Sequence, residues 1–392
     1  MNYNEARDII IDRVKPVSSE KIALSESGGR ISAQNITAKI NVPPFDRSPY
    51  DGYAFIAEDT PAKLQIIEEI SAGSVPSFPV KSGQAAKIMT GAIIPEGADS
   101  VIPYEDTEFT DSEVVINQAC KSGKNIIRAG EDVKIGDTLL HAGDFIDAGR
   151  AGLAASQGIT QLEVYRQPVI GLISTGSELQ EAGELQEGKI YNTSRYSFES
   201  ALKLSGFTPK FIGITKDDEN EIAGMINNAL SSCDALIITG GVSAGDYDRM
   251  PQSLEISGAE IIVRDVELKP GGKCIYAIMN EKLICCLSGN PASALTNYYA
   301  VALPALKKLA GIRNFMPVEF DVTLANSFNK RSPKTRIIRG VLEIIEGRAV
   351  INVPPEQGNG VLHTMSGCNV MAVVPAGSDK LPEGTRLKGF MI

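Results

Sequence analysis

From Pro168 onward the chain repeats one phrase: an apolar run, a turn of small residues, then apolar positions at helical spacing. Val169-Ile-Gly-Leu-Ile-Ser-Thr-Gly-Ser-Glu-Leu179 reads as a buried strand followed by a Gly turn and an acid. Asn192-Thr-Ser194 supplies N-cap chemistry for a helix to Leu204, stopped at Gly206. Lys210 to Ile214 is the next strand, and Asp217-Asp218 caps a helix with Ile222, Met225, Ile226 and Leu230 on one face. Ala235 to Ile238 then runs into a small-residue loop ending in Asp246-Tyr-Asp248. A short helix near Ser253 and a strand at Ile261 lead to Leu268-Lys-Pro-Gly-Gly-Lys273. A last strand, Leu283 to Leu287, enters Ser288-Gly-Asn-Pro-Ala-Ser293, where Asn290 reads as N-cap of a helix through Leu303. This alternation predicts a doubly wound α/β domain with a mostly parallel sheet.

The flanking sequence has a different texture. Ala6, Ile9, Ile10 and Val14 predict a helix over 4–15, halted by Pro16. A strand-like run from Ile31 to Ile40 leads into a Pro-rich segment, and 55–132 is strand-rich, with Lys87-Ile-Met-Thr-Gly-Ala92 ending in a Thr-Gly turn. Helical character returns over Ala148 to Gln157. Beyond Arg313, short β-like runs (Val318–Leu324, Arg336–Ile345, Ala349–Val353, Val370–Val374) predict a small β domain or barrel. The expected organisation is a multidomain α/β protein. It comprises an N-terminal helix (1–18), a small linking domain (19–40 plus 133–167), an inserted β-rich module (41–132), the α/β domain (168–312) and a C-terminal β domain (313–392).

Composition removes several functional classes. A net charge of −10 with no basic block argues against general nucleic-acid binding. Six cysteines without C-x-x-C spacing suit a reduced, cytoplasmic protein. Only His141 and His363 are present, which excludes a histidine-rich metal site. The N-terminal stretch carries Glu5, Asp8 and Asp12, unlike a signal peptide, and no apolar run approaches the roughly 20 residues of a membrane span.

The chemistry concentrates after the predicted strands. Gly240 to Gly245 has the glycine spacing of a Walker loop, but no Lys-Ser/Thr follows. Gly241-Val-Ser-Ala-Gly245 matches a nucleophile elbow, yet Asp246-Tyr-Asp-Arg-Met-Pro251 reads as extended loop where that elbow needs a helix. The stronger constellation is distributed: Glu178, Asp217, Asp246 and Asp248 end strands or start helices of one α/β unit. Arg249, Lys269 and Lys273 supply opposite charge. Taken singly, each acid is an ordinary cap or loop residue. Together, beside glycine turns, they suit Mg²⁺-assisted chemistry on a phosphoanhydride.

At this point the chain resembles the molybdopterin molybdenumtransferases, the molybdenum insertases related to the gephyrin E domain. The resemblance covers about residues 4 to 390 and rests on several motifs in order. These are Pro43-Pro-Phe-Asp-Arg-Ser-Pro-Tyr-Asp-Gly-Tyr-Ala54, Ile88-Met-Thr-Gly-Ala92, Gly130-Glu-Asp132, Ser174-Thr-Gly-Ser-Glu-Leu179, Thr239-Gly-Gly-Val-Ser-Ala-Gly245, Lys269-Pro-Gly and Gly289-Asn-Pro291. It implies a homodimer with an intersubunit active site, where Asp51 and Thr90 of one subunit face Glu178, Asp217 and Asp248 of the other. The implied reaction moves molybdenum from molybdate to adenylylated molybdopterin, with Mg²⁺-dependent release of AMP. On this resemblance Asp248, Glu178 and Asp217 hold Mg²⁺ and nucleotide. Gly240, Gly241, Ser243, Lys269, Lys273, Ser288, Gly289, Asn290 and Pro291 receive substrate, and Asp132 is a hinge or structural acid. Three motifs depart from the family: Ser288 where proline is usual, Lys273 displaced by one position, and His363-Thr364 where two small hydroxyl residues are expected. They leave open a tungstate-specific or activity-altered paralogue. An adenylyltransferase-like enzyme is disfavoured by the extra modules, and a non-enzymatic scaffold by the retained acids.

Overall fold

The computed structural model describes residues 1–242 and 249–392. Its centre is a six-stranded sheet in the order Thr208–Thr215, Val169–Thr175, Ala235–Thr239, Lys282–Leu287, Cys274–Met279, Glu260–Arg264. The first four strands are parallel, as the repeated phrase predicts. Cys274–Met279 runs against both its neighbours. The sequence reading missed that strand. Its two-residue turn is Asn280-Glu281, both in left-handed backbone (φ 51 and 62), without the glycine that marks such hairpins.

Successive side chains of these strands serve opposite faces. Ile170, Leu172, Ala235, Ile237 and Leu283 join one core with the N-terminal helix and the helices Thr193–Leu204 and Pro291–Asn297. Ile173, Leu236, Ile238 and Ile284 join another with the helices Glu219–Leu230 and Met250–Ser257. Because both faces are covered, the central strands Val169–Thr175, Ala235–Thr239 and Lys282–Leu287 are mostly apolar, as a parallel sheet favours. The N-terminal helix, Tyr3–Asp12, begins at an Asn2/Glu5 capping box and buries Ala6, Ile10 and Ile11 on the first face. The helix from Pro291 continues past Leu303 to Leu309, through a wide turn at Tyr298–Ala302. That turn lies just before Pro304, whose missing N–H a regular helix would need.

Residues 52–116 form a separate mixed sheet in the order Ser100–Pro103, Gly52–Phe55, Gln84–Ile88, Ala62–Ile70, Glu113–Ile116, Glu108–Phe109, with its own apolar clusters. The chain enters and leaves it side by side, where Val42 bridges Val133 and Arg47 bridges Ile127. Ser19–Ala23, Gln161–Tyr165 and Ile31–Ser32 make a small sheet around Leu162 and Val164. Beyond it, Thr335–Ile345, Arg348–Asn352, Glu319–Leu324, Arg386–Met391 and Val370–Val374 close into a barrel, because the last pairs back with the first. Arg386–Met391 had not been expected. Leu268–Lys269 of the α/β region adds to the barrel beside Thr335 and Arg336.

Candidate active site

Parallel strands bring their carboxyl ends to one edge, so Thr175, Thr239 and Leu287 lie together and the loops after them converge. They wall a cleft of about 900 Å³ whose far side is built by Pro333, Lys334, Asn359 and Gly360 of the barrel. Two glycines are required by this geometry. At Gly240 (φ +99) a Cβ would stand 2.4 Å from the carbonyl oxygen of Thr175. At Gly176 (φ +146) it would stand 2.7 Å from both carboxylate oxygens of Glu178, which folds back over the turn.

Glu178 and Asp217 both line this cleft and both are exposed to it. Asp218, not Asp217, caps the next helix, accepting the N–H groups of Asn220 and Glu221 at 3.0 and 2.9 Å. That division of labour leaves Asp217 free for the cleft. Burial raises the Asp217 carboxyl above the ordinary range, the nearby charge of Glu178 raises it further, and the Thr175 hydroxyl and Ser177 N–H pull the other way. Two hard oxygen donors that repel each other fit a divalent cation. Among the described residues no group of three or more His, Cys, Asp or Glu side chains forms a metal cage. Asp246, Asp248 and Ser243 lie outside the described residues.

The expected cations are only partly available. Lys269 is exposed in the cleft wall, and Lys334, unforeseen from sequence, joins it. Lys273 also lines the cleft but is paired with Asp265 at 2.6 Å. Arg249 is paired with Glu219 at 2.9 Å and is not part of the lining. At the next loop, Gly289, Asn290 and Pro291 reach the cleft, but the Asn290 side chain makes no cap hydrogen bond. The Ser288 hydroxyl instead accepts the Asn290 N–H at 3.2 Å, and the Asn359 carbonyl takes the Ser293 N–H at 3.1 Å. Of the first helical residues, only Ala292 then has an N–H to direct at an anion, since Pro291 has none.

His363 and Thr364 do not line the cleft. Thr364 is buried, and its hydroxyl accepts from Arg339 Nη2 at 2.6 Å and Nε at 2.9 Å. Arg339 is 1% exposed and also donates to the carbonyls of Gly358 and Val361. It holds the loop that presents Asn359 and Gly360. No local pattern in the sequence announces this arginine, because its partners lie 19 to 25 residues away.

Asp51 and Thr90 meet each other but not this cleft. The Thr90 N–H and hydroxyl both donate to Asp51 Oδ1, at 2.7 and 2.9 Å, and hold that carboxyl below its ordinary range. Asp132 sits at the crossing of the two chain passages, its N–H donating to the Val42 carbonyl.

A doubly wound domain with acids and glycine loops at its carboxyl edge, joined to a β barrel, defines a multidomain α/β protein with a large cleft between sheet edge and barrel, the architecture of an enzyme. Family comparisons narrow this. Residues 1–158 match the MoeA N-terminal region (domains I and II), 171–308 a probable molybdopterin binding domain, and 321–388 the MoeA C-terminal region (domain IV). A molybdopterin molybdenumtransferase of Staphylococcus epidermidis is 33% identical over 386 residues, 96% of this chain and 92% of its own. One from Staphylococcus aureus is 31% identical over 382 residues, 95% and 91% of the two chains. The crystal structure of the molybdopterin biosynthesis MoeA protein from Pyrococcus horikoshii OT3 superposes over both entire chains with a TM-score of 0.86 at 28% identity. This chain belongs to the molybdopterin molybdenumtransferase family, and is an enzyme of molybdenum cofactor biosynthesis.

Proposed function

We propose that the protein transfers molybdenum from molybdate into the dithiolene of adenylylated molybdopterin, releasing AMP with the help of Mg²⁺. The observation that carries this reading is the Glu178–Asp217 pair, two mutually repelling carboxylates at a sheet edge walled by glycine turns. These two residues would hold Mg²⁺, with Asp248 as a third ligand. Bound there, the ion supplies positive charge to the phosphoanhydride as its P–O bond breaks.

The chain's own groups do the rest. The backbone at Gly240 and Gly241, with Ser243, cradles phosphate oxygens. Lys269 and the Ser288-Gly289-Asn290-Pro291 turn orient the oxyanion, Lys273 joining them only by exchanging its Asp265 partner for the ligand, and the barrel wall at Lys334 excludes water from the pterin side. Asp51 and Thr90 complete the site from a second copy of the chain, which makes the working unit a homodimer in the cytoplasm, and Asp132 stiffens the crossing that carries the inserted module. The domain limits proposed are 1–18, 19–40 with 133–167, 41–132, 168–312 and 313–392.

The test is direct. Purified protein mixed with adenylylated molybdopterin, Mg²⁺ and molybdate releases AMP and yields active cofactor, and Asp217→Ala does not. AMP release by Asp217→Ala at the natural rate would overturn the assignment. Competing tungstate against molybdate decides which oxyanion is preferred.

A further inference from the structure

Asn192 is legible in the sequence only as a helix cap, and it is one: its Oδ1 accepts the N–H of Arg195 at 3.2 Å. The structure gives the same side chain two more bonds. Oδ1 also accepts from the Ser174 hydroxyl at 3.1 Å, and Nδ2 donates to Glu181 Oε1 at 3.2 Å. Ser174 belongs to the first central strand, and the Thr239 hydroxyl of the neighbouring strand donates to it at 3.3 Å. Glu181 belongs to the segment that leaves the sheet edge after Gly176 and returns at Ile190. One side chain, 1% exposed, therefore ties that excursion to the floor of the cleft.

What the tie holds is Glu178. The outgoing residues Leu179–Gln180 pair in parallel with the returning Ile190–Tyr191. At one end of this ribbon the Glu178 carbonyl accepts the Ile190 N–H at 2.9 Å, and at the other the Gln180 carbonyl accepts the Asn192 N–H at 2.8 Å. Arg195 strengthens the far attachment by pairing with both Glu181 and Glu199. Glu178 and Asp217 repel each other, so an acid on a loose excursion would swing away. A buried, neutral amide at the start of the helix Thr193–Leu204, bonded to the central strand through Ser174, opposes that motion without adding charge to the site.

We propose that Asn192 is a positioning residue: it fixes the Glu178 segment against the sheet and so sets the spacing of the two metal-binding acids. Its contact with Glu181 works because one partner is an amide donor and the other a carboxylate acceptor. Exchanging the roles should preserve it. The metal half of this statement rests on the reading given under Proposed function, whereas the anchoring half does not.

The experiment compares the natural chain with Asn192→Asp, which keeps the cap but sets two carboxylates face to face, and with Asn192→Asp/Glu181→Gln, which restores donor and acceptor. Two properties are read without substrate: hydrogen exchange of the amides in 178–191, and the dissociation constant of Mn²⁺ by electron paramagnetic resonance. We expect Asn192→Asp to raise exchange in this segment by about tenfold or more while the central strands stay protected. It should weaken Mn²⁺ by about tenfold, and the double variant should bring both back to within about threefold of the natural chain. Unchanged exchange in Asn192→Asp, or a double variant as loose as the single one, overturns the proposal. If the natural chain binds no Mn²⁺, the metal reading fails while the exchange arm still decides the anchoring.

Discussion

Asp217 and Asp51 are both exposed acids of the candidate machinery, and they stand in opposite electrostatic states. Asp217 is raised by burial and then by the charge of Glu178. Asp51 is lowered by two hydrogen bonds from a single threonine. The first is an acid whose charged form is disfavoured and which, on the proposed reading, gains a countercharge by binding. The second is already satisfied, and its geometry is set before any ligand arrives. On the proposed reading, the difference separates a group that would hold a cation from a group that presents a shape.

Removing the Asp217 carboxylate tests that division most severely. Asp217→Ala should lower the rate of AMP release by about a hundredfold or more, measured under saturating Mg²⁺. Equal losses for Asp217→Ala and Asp51→Ala in both rate and Mn²⁺ affinity would erase the distinction.

Asp234 sharpens the comparison, because burial acts on it as on Asp217 but the outcome is reversed. Burial would raise it, yet hydrogen bonds from Arg166 and the Val169 N–H outweigh that and hold it below the ordinary carboxylate range. A depressed carboxyl contributes stability that is fully present above its unfolded value and lost as pH falls through the folded one. Asp234→Asn should therefore cost about 2 kcal/mol near neutral pH, and the cost should shrink only as pH falls through the depressed folded-state value, below the ordinary carboxylate range. Denaturant unfolding at several pH values reads both.

Asp51→Ala should cost about tenfold in rate with Mn²⁺ affinity unchanged. Mixing Asp51→Ala chains with Asp217→Ala chains should then recover about a quarter of natural activity, since half the dimers are mixed and each holds one intact site. No recovery would place both acids in one chain's site. The smallest effect is a gain: Asp217→Asn removes a repulsion and should raise Tm by about 1 °C above the raised pKa, solvent screening keeping it small. Differential scanning calorimetry without metal measures it.

How far the sequence could be read follows from the range of the forces involved. Val169–Thr175 and Ala235–Thr239 were legible because a strand buried on both faces is mostly apolar. Cys274–Met279 was not, since its turn used Asn-Glu in place of a glycine. Glu178 and Asp217 were legible as acids next to glycine turns. Lys273 and Arg249 are legible as charges opposite to the acids, but their partners Asp265 and Glu219 are set only in the folded chain. His363-Thr364 departs from the family pattern in sequence, and only the folded chain shows that Arg339 occupies the Thr364 hydroxyl. Local chemistry identified which residues matter, and long-range pairing decided which are available.

Leu268 and Lys269 pair with Thr335 and Arg336, so one lysine of the cleft is stitched to the barrel although it belongs to the α/β region. A barrel tilting on the sheet drags this lysine's backbone along. Cleft aperture and cation reach thus behave as one mechanical coordinate, and a ligand spanning Lys269 and Glu178 acts as a strut across the joint. Crosslinking the barrel to the α/β region would lock both at once.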